Sequence, residues 1–251
     1  RTALRDCLRH RYDLGLAALT ATMSDSKPFV PALIVVDVQN DFCPPNGSLA
    51  VPDGRDIIPH VNRLLSLPFS LKLLTRDWHP ANHISFASNH PDSPQPFTST
   101  TTIEHPNDPS KTYETTLWPV HCVQGTWGAE PPEELDVNKA DGIVKKGLNE
   151  KVEMYSAFQD PWGVEVTGLA ERLRHKHVTD VFIVGLAGDI CAKETAKGAV
   201  KERFVTWFVE EGAKPVDASK WETCKRDMAE DGISVVSIDG DEVQRVAILE
   251  S

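Results

Sequence analysis

Two alternating periodicities restrict what this chain can fold into more than any other feature. Six short apolar runs rich in β-branched residues recur along it: ALIVVDV (32–38), LKLLTRD (71–77), GIVKKG (142–147), DVFIVGL (180–186), FVTWFVE (204–210) and ISVVSID (233–239). Their nearly continuous apolar character is that of strands covered on both faces, as in a parallel sheet. Between most of them lie helical patterns, GRDIIPHVNRLLSL, VEVTGLAERLRHKH, CAKETAKGAVKER and ASKWETCKRDMAED. In these, Ile57, Ile58, Val61, Leu64 and Leu65 share one helical face, as do Val166, Leu169, Ala170 and Leu173. Strands alternating with helices predict βαβ crossovers, hence an α/β fold: a three-layer α/β/α sandwich around a six-stranded, mostly parallel, doubly wound sheet.

At 251 residues the chain is long enough to bury a full core in one α/β domain, expected here over 27–251. Residues 1–26 read as an N-terminal extension. Its first 22 residues carry four Arg but also Asp6 and Asp13, so a targeting role and a dispensable extension stay open, and a chain starting at Met23 is expected to fold and work. Lys and Arg number 26 against 37 Asp and Glu, and the net charge of −11 argues against nucleic acid or an anionic membrane as the main partner. No apolar run approaches the roughly 18 residues that a membrane span needs. Five cysteines without C-x-x-C spacing read as reduced thiols, which points to the cytoplasm, with nucleus or peroxisome as alternatives.

In an open parallel sheet, ligands bind beyond the carboxyl ends of the strands. There the first run delivers Asp37, the second Asp77 and His79, the third Lys146, and the fourth, after Gly185-Leu186-Ala187, delivers Asp189 and Cys191. Asp77-x-His79 places a carboxylate and an imidazole on one side of an extended chain. His121, at the far end of a long polar stretch, is the third candidate ligand, and two His with one carboxylate suit Zn²⁺, Fe²⁺ or Mn²⁺ with coordination positions left open. His83 competes for a ligand position and Cys122 stays a further candidate, whereas His90 and His105 are expected in solvent. The bland alternative is that Asp77 pairs with Arg76 and the two His are surface residues.

Cys191 opens a helix, where the dipole and free N–H groups lower a thiol's pKa and can bind an oxyanion; a small buried Cys at a strand-to-helix junction is the competing reading. Asp37 follows five apolar residues, a setting that perturbs ionisation and suits proton transfer. Lys145 and Lys146 alternate along their strand, so one of the two faces the site. The stretch 85–120, rich in Pro, Ser and Thr, is expected to be a long loop forming a lid or wall of that site.

LIVVDVQNDF (33–42), TRDWHPANHISFA (75–87), LWPVHCVQGTWG (117–128), VKKGLNEKVEMYSAF (144–158) and VGLAGDICAKETA (184–196) together resemble the nicotinamidases of the isochorismatase-like cysteine hydrolases, their fungal members above all. The resemblance implies hydrolysis of nicotinamide to nicotinate and ammonia through a thioester, a step of NAD salvage. It implies Asp37, Lys146 and Cys191 as catalytic triad and the N–H groups of Ala187 and Cys191 as oxyanion hole. Asp77, His79 and His121 would hold one divalent metal ion, Zn²⁺ first and Fe²⁺ or Mn²⁺ otherwise. Phe42 and Trp118 would wall the pyridine ring beside Ile190, and the Leu186–Ala187 peptide would be cis. Ile190 stands where these enzymes often have Tyr, and Gly188 makes that turn less bulky, which opens the alternatives of pyrazinamide or another small amide as substrate. A nicotinamide-binding sensor without turnover is a further reading, and a homo-oligomer is left open.

Overall fold

Asp37, Asp77, Lys146 and Cys191 gain their meaning from the order of the strands that precede them. The computed structural model describes residues 28–249; the expected N-terminal extension, 1–26, lies outside them. Strands β1 (Pro31–Val36), β2 (Leu71–Asp77), β5 (Gly142–Lys146), β6 (Asp180–Gly185), β7 (Val205–Ala213) and β8 (Ser234–Val236) form one sheet in the order β5-β2-β1-β6-β7-β8. Every neighbouring pair is parallel. The chain lays β1, β2 and β5 outward in one direction, then returns to the other flank of β1 with β6. The crevice beyond β1 and β6 is therefore a topological switch point, the usual ligand position in such sheets.

Both faces of β1 are covered, which explains its unbroken apolar run. Leu33 and Val35 pack with helix α1 (Ile58–Leu65) and with Val243 and Val246 of α5 (Asp241–Ala247). Ala32, Ile34 and Val36 face the opposite layer, with α2 (Leu169–His175), α3 (Cys191–Lys201) and α4 (Trp221–Glu230). Leu33, Ile34 and Val35 are fully buried, each stabilising the fold by about 1.5–3 kcal/mol relative to an exposed side chain. The predicted three-layer sandwich is thus the observed one.

The elements differ from expectation at three places. Helix α2 covers only the second half of its predicted segment, because Gly168, at φ 76°, takes the left-handed conformation just before it. Helix α5 was not anticipated; Val243 and Val246 are the two buried residues of its seven. The stretch 85–120 is not a long loop: Thr100–His105 (β3) and Asp108–Thr116 (β4) pair as an antiparallel hairpin. Of its inward-facing positions only Ile103 and Thr115 are buried, so the alternation that marks a half-buried strand was too sparse to read, although the Thr-rich composition favours strand.

Candidate active site

Lys146 pairs across the sheet with Asp77, and its side chain is fully buried. Its Nζ donates to Asp77 Oδ1 and, at 3.1 Å, to the Met154 carbonyl, and it lies 3.0 Å from Asp37 Oδ2 and 3.6 Å from Cys191 Sγ. One ammonium group thus touches two carboxylates and a thiol. Burial disfavours the charged lysine, but Asp37, Asp77 and Cys191 outweigh it and hold Lys146 well above the ordinary range, so it stays a cation. Lys145 points the other way, its Nζ 3.5 Å from the centre of the Trp78 ring.

Asp37 sits just past β1 with a φ of 48°, in the left-handed region that side chains rarely adopt. Thr75 holds it there: the Asp37 N–H donates to Thr75 Oγ1 at 3.1 Å, and that hydroxyl donates to Asp37 Oδ1 at 2.5 Å. Burial pushes the Asp37 carboxyl up, Lys146 pulls it down, and the balance lies at about 6. Burial also pushes the Cys191 thiol well above its usual value, against the pull of Lys146. Burial thus acts against the low-pKa thiolate expected at a helix N-terminus, and a base beside the thiol gains importance. Cys191 lies at the first position of α3, and the Leu186–Ala187 peptide is cis as expected. Among the described residues, the Ala187 and Cys191 N–H groups have no hydrogen-bond partner.

The candidate ligands come together as well. Single donor atoms of Asp77, His79 and His121 all lie within 4.8 Å of one another. His79 Nδ1 is 2.8 Å from the Gly147 carbonyl and His121 Nδ1 is 2.8 Å from the Pro119 carbonyl. A carbonyl only accepts, so in both rings Nδ1 carries the proton and Nε2 presents a lone pair to the site, as metal-bound imidazoles require. Gly147 is needed for this approach: a Cβ there would stand 2.4 Å from His79 Cε1, and its φ is 67°. Burial and the neighbouring His79 lower His121 to about 4, which keeps it neutral. Burial pushes Asp77 up, but Lys146 and His79 pull it well below the carboxylate range, so it stays ionised. Burial lowers His79 but the neighbouring Asp77 outweighs it and raises it above its ordinary value; a cation taking the place of that proton would meet two oriented imidazole nitrogens and a carboxylate, a donor set that fits a divalent ion.

His83 is not part of the set. Its Nδ1 bonds Ser85 Oγ at 2.8 Å and its Nε2 the Val152 carbonyl at 3.1 Å, so both nitrogens are engaged. His90 and His105 are half-buried rather than solvated: His90 Nε2 meets the Ile84 carbonyl at 2.6 Å, and the His105 ring lies 5.0 Å from that of Trp162. Asp189 turns away from the chemistry and accepts the N–H groups of Val216 at 2.8 Å and Asp217 at 3.1 Å. That contact sets Val216 in the pocket wall.

The pocket over Cys191 is lined by Phe42, Trp118, His121, Ala187 and Ile190, the expected residues, and also by Leu49, Val51, Glu153, Tyr155 and Val216. Tyr155 escaped the sequence reading. Its hydroxyl accepts the Trp118 indole N–H at 3.0 Å and meets Thr115 Oγ1 at 2.9 Å, so β4 buttresses the wall. Glu153, also missed, is a buried carboxylate held by its neighbour's Met154 N–H at 2.9 Å. Two side chains after β1 lock the ligand-bearing segments. Gln39 bonds both backbone groups of Asp77, each at 2.8 Å. Asp41 Oδ2 accepts the Cys122 N–H at 2.7 Å, one residue beyond His121, and the carboxylate packs so closely on Gly128 that a Cβ there would lie 1.9 Å from it. The signal was present in QND, a polar triplet directly after a buried strand.

Comparison with known proteins gives a consistent placement. The isochorismatase domain matches residues 31–240. The nicotinamidase of Saccharomyces cerevisiae is 40% identical over 190 residues, covering 73% of this chain and 88% of that protein. The crystal structure of the yeast nicotinamidase bound to the inhibitor nicotinaldehyde superposes with a TM-score of 0.78 at 38% identity, over 82% of this chain and 99% of that one. The pyrazinamidase of Pyrococcus horikoshii in complex with zinc superposes at 0.62 with 35% identity, over 83% and 99%. The fold, the matched domain and these relatives together show that the chain is an amidohydrolase belonging to the isochorismatase family, grouped with its nicotinamidases.

Proposed function

We propose that residues 27–251 act as one hydrolase domain that converts nicotinamide and water to nicotinate and ammonia through a thioester on Cys191. The observation that carries this is the position of the Cys191 thiol, 3.6 Å from an ammonium that also touches Asp37, at the base of a pocket walled by Phe42, Trp118 and Ile190. Asp37, at about 6, is ionised at neutral pH and accepts the thiol proton. The sulfur attacks the carboxamide carbon, and Lys146, which keeps its own proton, stabilises the developing thiolate. The Ala187 and Cys191 N–H groups hold the oxyanion. Asp37 then gives its proton to the departing ammonia, takes one from the water that attacks the thioester, and returns it to the Cys191 sulfur as the C–S bond breaks and nicotinate leaves.

Asp77, His79 and His121 would hold the divalent ion, Zn²⁺ being the first choice and Fe²⁺ or Mn²⁺ the alternatives. When bound, it supplies a Lewis-acid anchor for the pyridine nitrogen. Phe42 and Trp118 hold the ring plane and exclude water. The aliphatic Ile190 wall favours pyrazinamide as a second substrate, since it carries no group that selects between the two rings. The four described cysteines are unpaired, which supports a reducing, cytoplasmic setting. No helix among the described residues is long and apolar enough to cross a membrane.

The test is to incubate the purified protein with nicotinamide and follow nicotinate and ammonia, with Cys191→Ala and a chelator-treated sample in parallel. Stoichiometric ammonia, lost in both controls, is the expected result. Turnover by Cys191→Ala would overturn the thioester, turnover after chelation the metal dependence, and binding without any turnover would leave the sensor reading in its place.

A further inference from the structure

We propose that Thr75 is a positioning residue for the general base, fixing which oxygen of Asp37 receives the thiol proton. Thr75 is buried in β2, next to the end of β1, and it grips Asp37 twice. Its hydroxyl accepts the Asp37 N–H at 3.1 Å, which stabilises the left-handed backbone at φ 48°, and donates its single proton to Oδ1 at 2.5 Å. A hydroxyl has one proton, so the direction is set: with the Asp37 N–H donating to Oγ1, the hydroxyl hydrogen is free only for the carboxylate. Oδ1 is thereby engaged. Oδ2 is left as a buried oxygen without a hydrogen-bond donor in good geometry, 3.0 Å from the Lys146 ammonium. Oδ2, faced by that ammonium alone, keeps a lone pair for a further proton, and proton acceptance from Cys191 uses it. One donor atom each of Asp37, Asp77 and Cys191 lies within 4.8 Å of the others, and the Lys146 ammonium that Oδ2 faces at 3.0 Å lies 3.6 Å from Cys191 Sγ, so Oδ2 and the thiol share one neighbour. Among the described residues no other hydroxyl or amide holds the Asp37 carboxylate, so without this contact only the Lys146 ion pair restrains its terminal torsion, which is intrinsically soft.

The inference rests on Asp37 being the base, and the variants separate the two. Thr75→Val keeps the branched shape and removes the hydroxyl; Thr75→Ser keeps the hydroxyl and removes the methyl. On nicotinamide, Thr75→Val is expected to lower kcat about 10- to 100-fold with KM changed less than about twofold, and Thr75→Ser to restore kcat to within about threefold of the parent. If Thr75→Val does not accumulate as folded protein, Thr75→Ala against Thr75→Ser carries the same comparison. A crystal structure of the hydroxyl-free variant needs no substrate and is expected to show the Asp37 carboxylate turned from its parent orientation, with Thr75→Ser unchanged. Parent-like kcat in Thr75→Val, an unturned carboxylate, or parallel losses of kcat and melting temperature in Val and Ser alike would each overturn it. Asp37→Asn is the reference: if inactive while Thr75→Val is fully active, only the role of Thr75 falls, and if Asp37→Asn itself turns over, the base assignment falls and this inference with it.

Discussion

The two halves of the site are built by different means. Asp37, Lys146 and Cys191 leave three strands of one sheet within a residue or a short turn of their ends, are all buried, and meet directly around one ammonium. On the ring-binding side only Asp77 belongs to a strand; His79, His121, Phe42, Trp118, Glu153 and Tyr155 lie in irregular or short 3₁₀ segments. These are held by side chains that bond backbone, Gln39 on Asp77 and Asp41 on Cys122, and by the Tyr155 hydroxyl on Trp118. On the proposed function, the sheet would supply fixed geometry for the proton and thiol chemistry, whereas recognition would sit on loops that need a second layer of polar contacts to be equally rigid. Damage to the first half should stop the reaction; damage to the second should weaken binding and leave the thiol chemistry in place.

The sharpest break is Lys146→Ala. It leaves Asp37 and Asp77 buried without their shared counter-charge, so activity should vanish and stability fall by about 3–5 kcal/mol, read by denaturant unfolding and the ammonia assay. Next comes Asp41→Ala, which frees the segment carrying His121 without touching Cys191. Divalent-ion affinity, followed by titration of the metal-free protein, should drop about 10- to 100-fold; equal affinity in variant and parent would erase the distinction between the halves. Acid should act on the first half. Asp37 must be ionised to accept a proton and its carboxyl lies at about 6, so kcat/KM should level off above that pH and fall about tenfold per unit below it. A profile flat down to pH 5 would contradict this. The mildest effect is expected of Tyr155→Phe, which removes one hydrogen bond from the Trp118 indole, raising KM about 2- to 10-fold with kcat preserved.

The sheet was legible because its signal is local and redundant: β1 and β6 are buried on both faces, so nearly every position is apolar, the exception being Asp180 at the start of β6, whose carboxylate accepts from Thr179 and Trp207. The titratable residues ending those strands could be named for the same reason, since a charge after such a run stands out. Ile103 was the only fully buried apolar residue of the hairpin, too little to mark two strands. The polar contacts that align the site leave no periodic trace either. Thr75 looked like one more residue of a strand, and nothing local tells that its hydroxyl faces a carboxylate 38 residues away.

The sequence by itself determined the layered α/β architecture, the site's place beyond the strand ends, and the residue types that meet there. Tertiary structure alone decided how they meet. It turned Lys146 inward between two carboxylates, engaged both nitrogens of His83 while leaving one free on His79 and on His121, and raised the Cys191 thiol by burial where the helix end would have lowered it. The physical reason is that burial pattern and periodicity act between near neighbours in the chain, while desolvation and hydrogen-bond direction depend on atoms brought together only after the layers have packed.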